Sequence, residues 1–498
     1  MSKEGAVGAN ENVKSFVRQT HWALIETGII IAATIMNTIV LSRILTPSEF
    51  GAAAIALAIA NVVQALIIGG FGPAIVRLGP ELDRHLSQQI YTLVLAASLA
   101  GSLLCFVLAF PISALFEEQN ILQLILVSSC SILFFGISSF GSSLLVRAAR
   151  LRDIAVMVFV AKTASITIAI SIAVAGGGSW ALIASHIVFV FTQTVWVLVA
   201  IIGGLRPALP KQALVGFIKT SSLIVVENFV TTVTVRFFAI YAGLHYGIAN
   251  LGLLNYALRL VDELGSIIVR TMNRVGVAYF SRLRDSNGSI KDGFAATTYL
   301  STLIGAPIFM GLFSVIDELI LLLSSEAWVS AIPMAKILCL YWIVRVMRIG
   351  TSPIYKALDK QSYAILISWA VLIYLATASF LVRDLEFIYV VAVFAARPVV
   401  SLPLGVWTMW RLTGASFVEQ FAALMQPLLF AGIMLIVLEG VVANQITHLA
   451  EWESLIVKVA LGAAIYLSLT ALFDHKRILR LPDLLTGQVS LNARPPSK

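Results

Sequence analysis

Charge is what this chain has least of. Only 12% of its 498 residues are Asp, Glu, Lys or Arg, against roughly 25% in an ordinary soluble domain. A solvated globular fold is excluded on that count. Cysteine is scarce too: Cys105, Cys130 and Cys339 all fall inside apolar stretches, which excludes the disulfide framework of a small secreted domain. Ser/His/Asp constellations, metal-ligand spacings and phosphate-binding glycine loops are lacking too. GGGSW (residues 176–180) follows no strand pattern and precedes no GK[ST]. No cofactor is expected, and an enzyme is disfavoured. The first twenty residues are polar and lead into an apolar run too long for a signal peptide, so that run reads as an uncleaved first span.

What is present is apolar length. The mean hydropathy is +0.94. About fourteen stretches, from near residue 20 to near residue 473, each reach the roughly 20 apolar residues that a helix needs to cross a hydrocarbon core. The expected fold class is an all-α integral membrane protein. Its Lys and Arg residues fall on alternate connections. One set carries Arg77, Arg84, Arg147, Arg150, Arg152, Arg206, Lys211, Lys219, Arg274, Arg282, Arg284, Lys291, Arg345, Arg348, Lys356, Lys360 and Arg411, whereas the opposite set carries Arg43 and Arg383 and otherwise the acids Glu117, Glu118, Asp317, Glu318, Asp384, Glu386, Glu451 and Glu453. The positive-inside rule then puts the N- and C-termini and the basic loops in the cytoplasm. The formal charge of +8 does not point to nucleic acid, because it sits at loop ends beside spans. Trp180, Trp328 and Trp452 open spans on the outer side and Trp407 and Trp410 close one on the inner side, as an interfacial aromatic belt would.

The sequence repeats itself weakly. GSSLLVRAARLRDIA (residues 141–155) follows span four and GTSPIYKALDKQSYA (residues 350–364) follows span ten; LTPSEFGAAAIA (45–56) and HYGIANLGLLNYA (245–257) both reach a glycine, Gly51 or Gly252, as a span begins. The copies lie on the same side of the membrane, so two parallel six-helix lobes are expected, with two appended helices. The corresponding division is a cytoplasmic segment 1–19, lobes 20–205 and 206–412, extra helices 413–473 and a cytoplasmic tail 474–498. Two facing lobes suit alternating access to a site at mid-depth.

Polar side chains inside spans are costly and mark cavities, partners or pathways. In span eight, Asn255, Arg259, Asp262 and Glu263 share one helical face. Either Arg259 is neutralised by the acids one turn on, or the stripe lines a cleft and offers Arg259 to an anion, for which a planar guanidinium is suited. Arg397, followed by Pro398, either points into the cleft or bonds a carbonyl freed by the proline. Arg236 and Lys162 complete the candidate binding set, although snorkelling to the interface explains Arg236 as well, and it is the expectation for Lys336 and Lys458. Glu26, Glu227, Asp262 and Glu263 are the candidate ion-coupling carboxylates.

Four stretches carry a family resemblance. LSRILTPSEFG (41–51) resembles the L-x-R-x-L-T-P-x-x-F-G stretch after the first span of bacterial polysaccharide transport proteins, relatives of the O-antigen flippases within the multidrug/oligosaccharidyl-lipid/polysaccharide (MOP) exporter superfamily. LLVRAARLRDIA (144–155), GGSWALIASHIV (177–188) and LGLLNYALRLVDE (251–263) are similar to the family's basic loop, span-six start and span-eight segment. The resemblance implies a MOP/MATE-like fold and a flippase for an undecaprenyl-pyrophosphate-linked oligosaccharide. Its implied partners are that substrate, membrane lipids, and a polysaccharide polymerase with export machinery. Arg259 occupies the arginine of the span-eight motif. The chain departs from many relatives late in span seven, where it has Arg236 instead of an Asp, which argues against a coupling scheme that needs a carboxylate there. A drug or organic-cation antiporter of the same superfamily would favour an acidic cleft. A membrane polymerase or ligase would need a large outer loop, and the outer connections here are short.

Overall fold

The computed structural model of the chain describes residues 3–67, 71–77, 83–116, 118, 120–202, 207, 208, 213–286, 288–442, 445, 449–475 and 477, and among these there is no strand. By packing, the helices fall into two units, Met1–Asn255 and Tyr256–Lys498. The first holds α1 (Lys3–Ser42), α2 (Pro47–Ile67), α3 (Phe71–Arg77), α4 (Arg84–Ser113), α5 (Ile121–Arg147), α6 (Leu151–Val174), α7 (Trp180–Val197), α8 (Ala213–Tyr246) and the first residues of α9 (Ile248–Asp285). The second holds the rest of α9 with α10 (Ile290–Leu323), α11 (Ile332–Val346), α12 (Thr351–Ala357), α13 (Gln361–Leu381), α14 (Phe387–Ala395), α15 (Arg397–Thr413), α16 (Phe417–Val437) and α17 (Glu451–Phe473). The boundary proposed at 205/206 and the tail beyond residue 477 lie outside the described residues. Helix α1 starts at Lys3, so residues ahead of the first span continue its helix.

Thirteen segments among the described residues are helical, long and apolar enough to cross a membrane. The fourteenth expected span is α9, whose 38 residues far exceed the necessary length but whose polar stripe leaves it less apolar than the other thirteen. Large apolar side chains such as Val174, Val199, Leu381 and Val418 face outward, where only hydrocarbon makes their exposure tolerable. The chain is a multi-pass membrane protein. Inside the spans, serine and threonine hydroxyls bond carbonyls one turn back, as in Thr38 to Thr34 (2.8 Å), Ser98 to Val94 (2.6 Å) and Thr302 to Thr298 (2.8 Å), so these donors are satisfied without water.

The LTPSEFG stretch is a helix-starting device. Thr46 and Glu49 form reciprocal caps: the Thr46 amide donates to Glu49 Oε2 at 2.7 Å, and the Glu49 amide donates to Thr46 Oγ1 at 3.4 Å. Pro47 occupies the first helical position, where its missing N–H costs nothing, and Phe50 is fully buried. A Cβ on Gly51 would overlap the Ile248 carbonyl at the start of α9, and one on Gly252 would overlap the Pro47 carbonyl at the start of α2. Two helix beginnings thus meet backbone to backbone through a pair of glycines, one from each of the matched segments.

The basic-loop repeat also has a shared geometry. After α5, the Arg150 amide donates to the Leu145 carbonyl at 2.9 Å, with Ala149 left-handed (φ 56°); after α12, the Lys360 amide donates to the Tyr355 carbonyl at 2.8 Å, with Asp359 left-handed (φ 55°). Each is the same six-to-one helix ending. The structural match is displaced by one residue from the sequence match, which pairs Ala148 with Ala357.

Two expectations need correction. Trp328 is fully buried, with its ring 4.5 Å from that of Tyr256, so it is a core residue rather than part of a belt; Trp407, Trp410 and Trp452 do face outward. Lys458 does not snorkel. It is buried on α17, 2.5 Å from Glu318 Oε1 and 3.0 Å from the Ser314 carbonyl of α10, and Ser454 donates to the same Oε1 at 2.8 Å. A buried carboxylate within reach holds the ammonium more firmly than the distant interface. Lys336 likewise pairs with Asp317, at 2.7 Å. Tyr466 donates to the Leu303 carbonyl at 2.8 Å and Tyr299 to Asp474 at 2.5 Å, completing a polar seam that fixes the appended helix to α10.

Candidate functional site

The polar stripe of α9 is the starting point. Spacing of three and four residues places Arg259, Asp262, Glu263, Ser266 and Arg270 along one side of the helix. Gly265 lies against the Trp342 ring of α11, where a Cβ would overlap it. That close approach lets the Trp342 indole Nε1–H donate to Asp262 Oδ1 at 2.5 Å. The far side of Trp342 stacks on Phe309 of α10, with centroids 5.3 Å apart and planes at 8°. Trp342 is thereby held by packing, and it holds Asp262 in turn.

Trp342 also carries a cation. The Arg345 guanidinium lies 4.5 Å from the Trp342 ring centroid, and its Nη1 donates to the Tyr341 hydroxyl. Arg397 approaches the same tyrosine from α15, with Cζ 5.1 Å from the Tyr341 ring and 3.5 Å from that of Phe394. Its Nε donates to the Phe394 carbonyl at 2.6 Å. Phe394 stands four residues before Pro398, so its carbonyl is the one that the proline leaves without a helical donor. The carbonyl bond, one of the two readings of Arg397, is therefore present through Nε. The guanidinium is buried and within electrostatic range of Arg345 and Asp262. Further along α9, Arg270 Nη2 lies 3.6 Å from Glu263 Oε2 and donates to Ser266 Oγ at 2.8 Å.

Within the second unit, then, Asp262 and Arg397 come together through Trp342, Tyr341 and Arg345, while Glu263 joins Arg270. Arg259 is half-buried on α9, one turn before Asp262. Arg345 and Arg397 thus stand with Asp262, and Arg270 with Glu263, backed by aromatic faces, while Arg259 lies on the same α9 stripe. This chemistry suits an anion, because guanidinium groups donate to phosphoryl oxygens in pairs. The sequence placed Arg345 in a basic loop and left Arg270 and Trp342 out. Arg270 carried a signal, standing seven residues after Glu263 on the same stripe. Trp342 carried none, because its role depends on the bare backbone at Gly265.

The other candidates belong to the first unit. Lys162 on α6 donates to Thr34 Oγ1 of α1 at 3.3 Å and lies 4.7 Å from the Phe189 ring of α7. Glu26 is half-buried on α1, two turns before Thr34, and Glu227 and Arg236 are half-buried on α8. Asn255, at the end of this unit, is half-buried too. No group of three or more metal-ligating side chains occurs among the described residues.

Comparison with known proteins follows the same lines. A family model described as polysaccharide biosynthesis protein matches residues 40–333. The chain is 22% identical over 481 residues to the succinoglycan biosynthesis transport protein ExoT of Rhizobium meliloti (strain 1021), covering 95% of this chain and 96% of that protein. It is 27% identical over 232 residues to the teichuronic acid biosynthesis protein TuaB of Bacillus subtilis (strain 168), covering 46% of this chain and 48% of that one. Among solved structures, an inward closed form of the lipid II flippase MurJ superposes with a TM-score of 0.74 at 14% identity, over 93% of this chain and 100% of that one. An inward-facing MATE multidrug resistance transporter of the MOP superfamily gives 0.62 at 10% identity, over 77% of this chain and 95% of that one. The fold is that of the MOP exporters.

Proposed function

The chain belongs to the polysaccharide biosynthesis protein family, and we propose that it is a flippase that carries a lipid-pyrophosphate-linked oligosaccharide across the bacterial inner membrane. Two lobes, 20–205 and 206–412, would expose the site alternately to the two sides, with both termini in the cytoplasm. One observation carries the reading: the cationic group of the second unit, in which Arg345 and Arg397 are held over Tyr341 and Trp342 and Asp262 is engaged by the indole. A pyrophosphate and a hydrophilic sugar cannot enter hydrocarbon unaided, whereas the lipid tail can remain there. Fixed guanidinium groups replace the water that the phosphates lose. The names of ExoT and TuaB, which concern succinoglycan transport and teichuronic acid biosynthesis, support a polysaccharide context.

In this reading Arg259, Arg397 and Arg345 face the phosphates, Asp262 and Glu263 keep the arginines oriented, and Glu26 and Glu227 are left as proton or cation sites. The chain acts as a transporter and not as an enzyme; a polymerase and export machinery would take up its product. Replacing Arg259 by Ala should abolish polysaccharide export in a strain lacking the native gene while the amount of protein in the membrane is unchanged. Normal export would remove Arg259 from the site.

A further inference from the structure

A second arginine environment in the same unit has chemistry that the proposed transport site does not use. Arg348 follows the end of α11, on the side that the basic loops mark. Its Nη1 donates to Gln420 Oε1 of α16 at 2.9 Å. Gln420 is itself fixed, donating from Nε2 to the Val406 and Ala415 carbonyls at 3.1 and 3.0 Å. The guanidinium lies 5.4 Å from the Phe294 ring of α10. Gly405 of α15 lies close against it, where a Cβ would stand 3.4 Å from Nη2 and 3.7 Å from Nε. The remaining edge, Nε and Nη2, is buried and has no hydrogen-bond partner among the described residues. The buried Thr298 hydroxyl, 3.7 Å from where a Cβ on Gly350 would stand, also has no partner among the described residues.

Those two nitrogens form the side-on fork of a guanidinium, the edge that meets two oxygens of one phosphate or carboxylate at once. Leaving two charged donors dry and unpaired costs several kcal/mol. Among the described residues no carboxylate offsets that cost: burial lowers the Arg348 pKa to about 10, with Tyr355 the group opposing the shift, so the side chain is still charged at neutral pH. A half-buried arginine whose two fork nitrogens are buried and unpaired, with an amide clamping its other nitrogen and a glycine against its face, has the donor set of an anion receptor. We propose that the Nε/Nη2 edge of Arg348 binds a phosphate-class oxyanion, from a phospholipid head group or from free phosphate, at a site separate from the Arg345–Arg397 group.

The test uses the full-length chain, purified in neutral detergent and stripped of lipid, with its thermal unfolding followed while inorganic phosphate or phosphatidylglycerol in mixed micelles is added. Sodium chloride serves as the ionic-strength control. A saturable rise in unfolding temperature with either probe is expected. Phosphate acting alone identifies a free anion, whereas a response confined to phosphatidylglycerol identifies a head group. In Arg348→Gln the half-saturating concentration should rise at least about tenfold, the loss of two charge-assisted hydrogen bonds. Arg348→Lys keeps the charge and is the variant more certain to fold; without the fork it should bind less tightly than wild type. Absence of a saturable response in wild type, or an equal response in both variants, would overturn the proposal and assign the edge to buried water.

Discussion

The buried pair between Glu318 and Lys458 gives the most quantitative expectation. Both residues are 6% exposed, and their contact of 2.5 Å joins α10 to α17. Lys458→Met would leave the Glu318 carboxylate with the Ser454 hydroxyl and no counter-charge; Glu318→Gln would leave the Lys458 ammonium with the Ser314 carbonyl. Breaking one side of a buried pair costs about 3–5 kcal/mol, chiefly because the survivor is an uncompensated charge. For a unit of this size each kcal/mol moves the unfolding midpoint by about 2–4 °C, so each single variant should lose about 6–20 °C. The double variant Glu318→Gln/Lys458→Met buries no charge and keeps an amide for Ser454, so it should recover most of that loss. Tyr466 and Tyr299 still tie the helices together in every variant, so the proteins should remain foldable. The assay is thermal unfolding of detergent-purified protein by intrinsic fluorescence. Single variants within about 2 °C of wild type, or a double variant no better than the singles, would refute the reasoning that Lys458 is fixed by charge pairing in a dry seam.

Other outcomes follow from close contacts and donor geometry. Gly252→Ala should lower the unfolding midpoint, since its Cβ would strike the Pro47 carbonyl, whereas Gly432→Ala in α16, which meets nothing within 4 Å, should be neutral or gain up to about 1 kcal/mol. Trp342→Phe keeps the stack on Phe309 but removes the donor to Asp262, a bond worth about 1.5–3 kcal/mol to a charged group; export should fall at least tenfold with protein level unchanged. Arg259→Lys should export at an intermediate rate, because a point charge replaces a two-toothed donor, and full activity in a complementation assay would indicate a merely electrostatic role.

The membrane class, the number of spans and the internal repeat were all legible in the sequence, because hydrocarbon imposes length and polarity so strongly that single residues report them. The span with the weakest apolar signal, α9, is also the one with the polar stripe, since the residues that fill the stripe dilute that signal. Arg397 was legible as a choice between two environments, and the carbonyl freed by Pro398 accepts from its Nε. What could not be read was tertiary proximity. The Lys458–Glu318 pair spans well over a hundred residues of sequence and looked like two interfacial charges. Trp328 looked interfacial because it opens a helix, yet Tyr256 covers it. The Asp262–Trp342 bond depends on Gly265 letting two helices touch, a condition that no spacing within either helix encodes.

Transport by the purified chain, reconstituted in proteoliposomes, separates the proposed substrate class from its main rival. A fluorescent pyrophosphate-linked saccharide should cross the bilayer with wild-type protein and fail to cross with Arg259→Ala or Arg397→Ala, while an organic cation offered in its place should not be moved. Movement of the cation without the pyrophosphate lipid, or equal flipping by wild type and both arginine variants, would contradict the cationic site on which the proposed function rests.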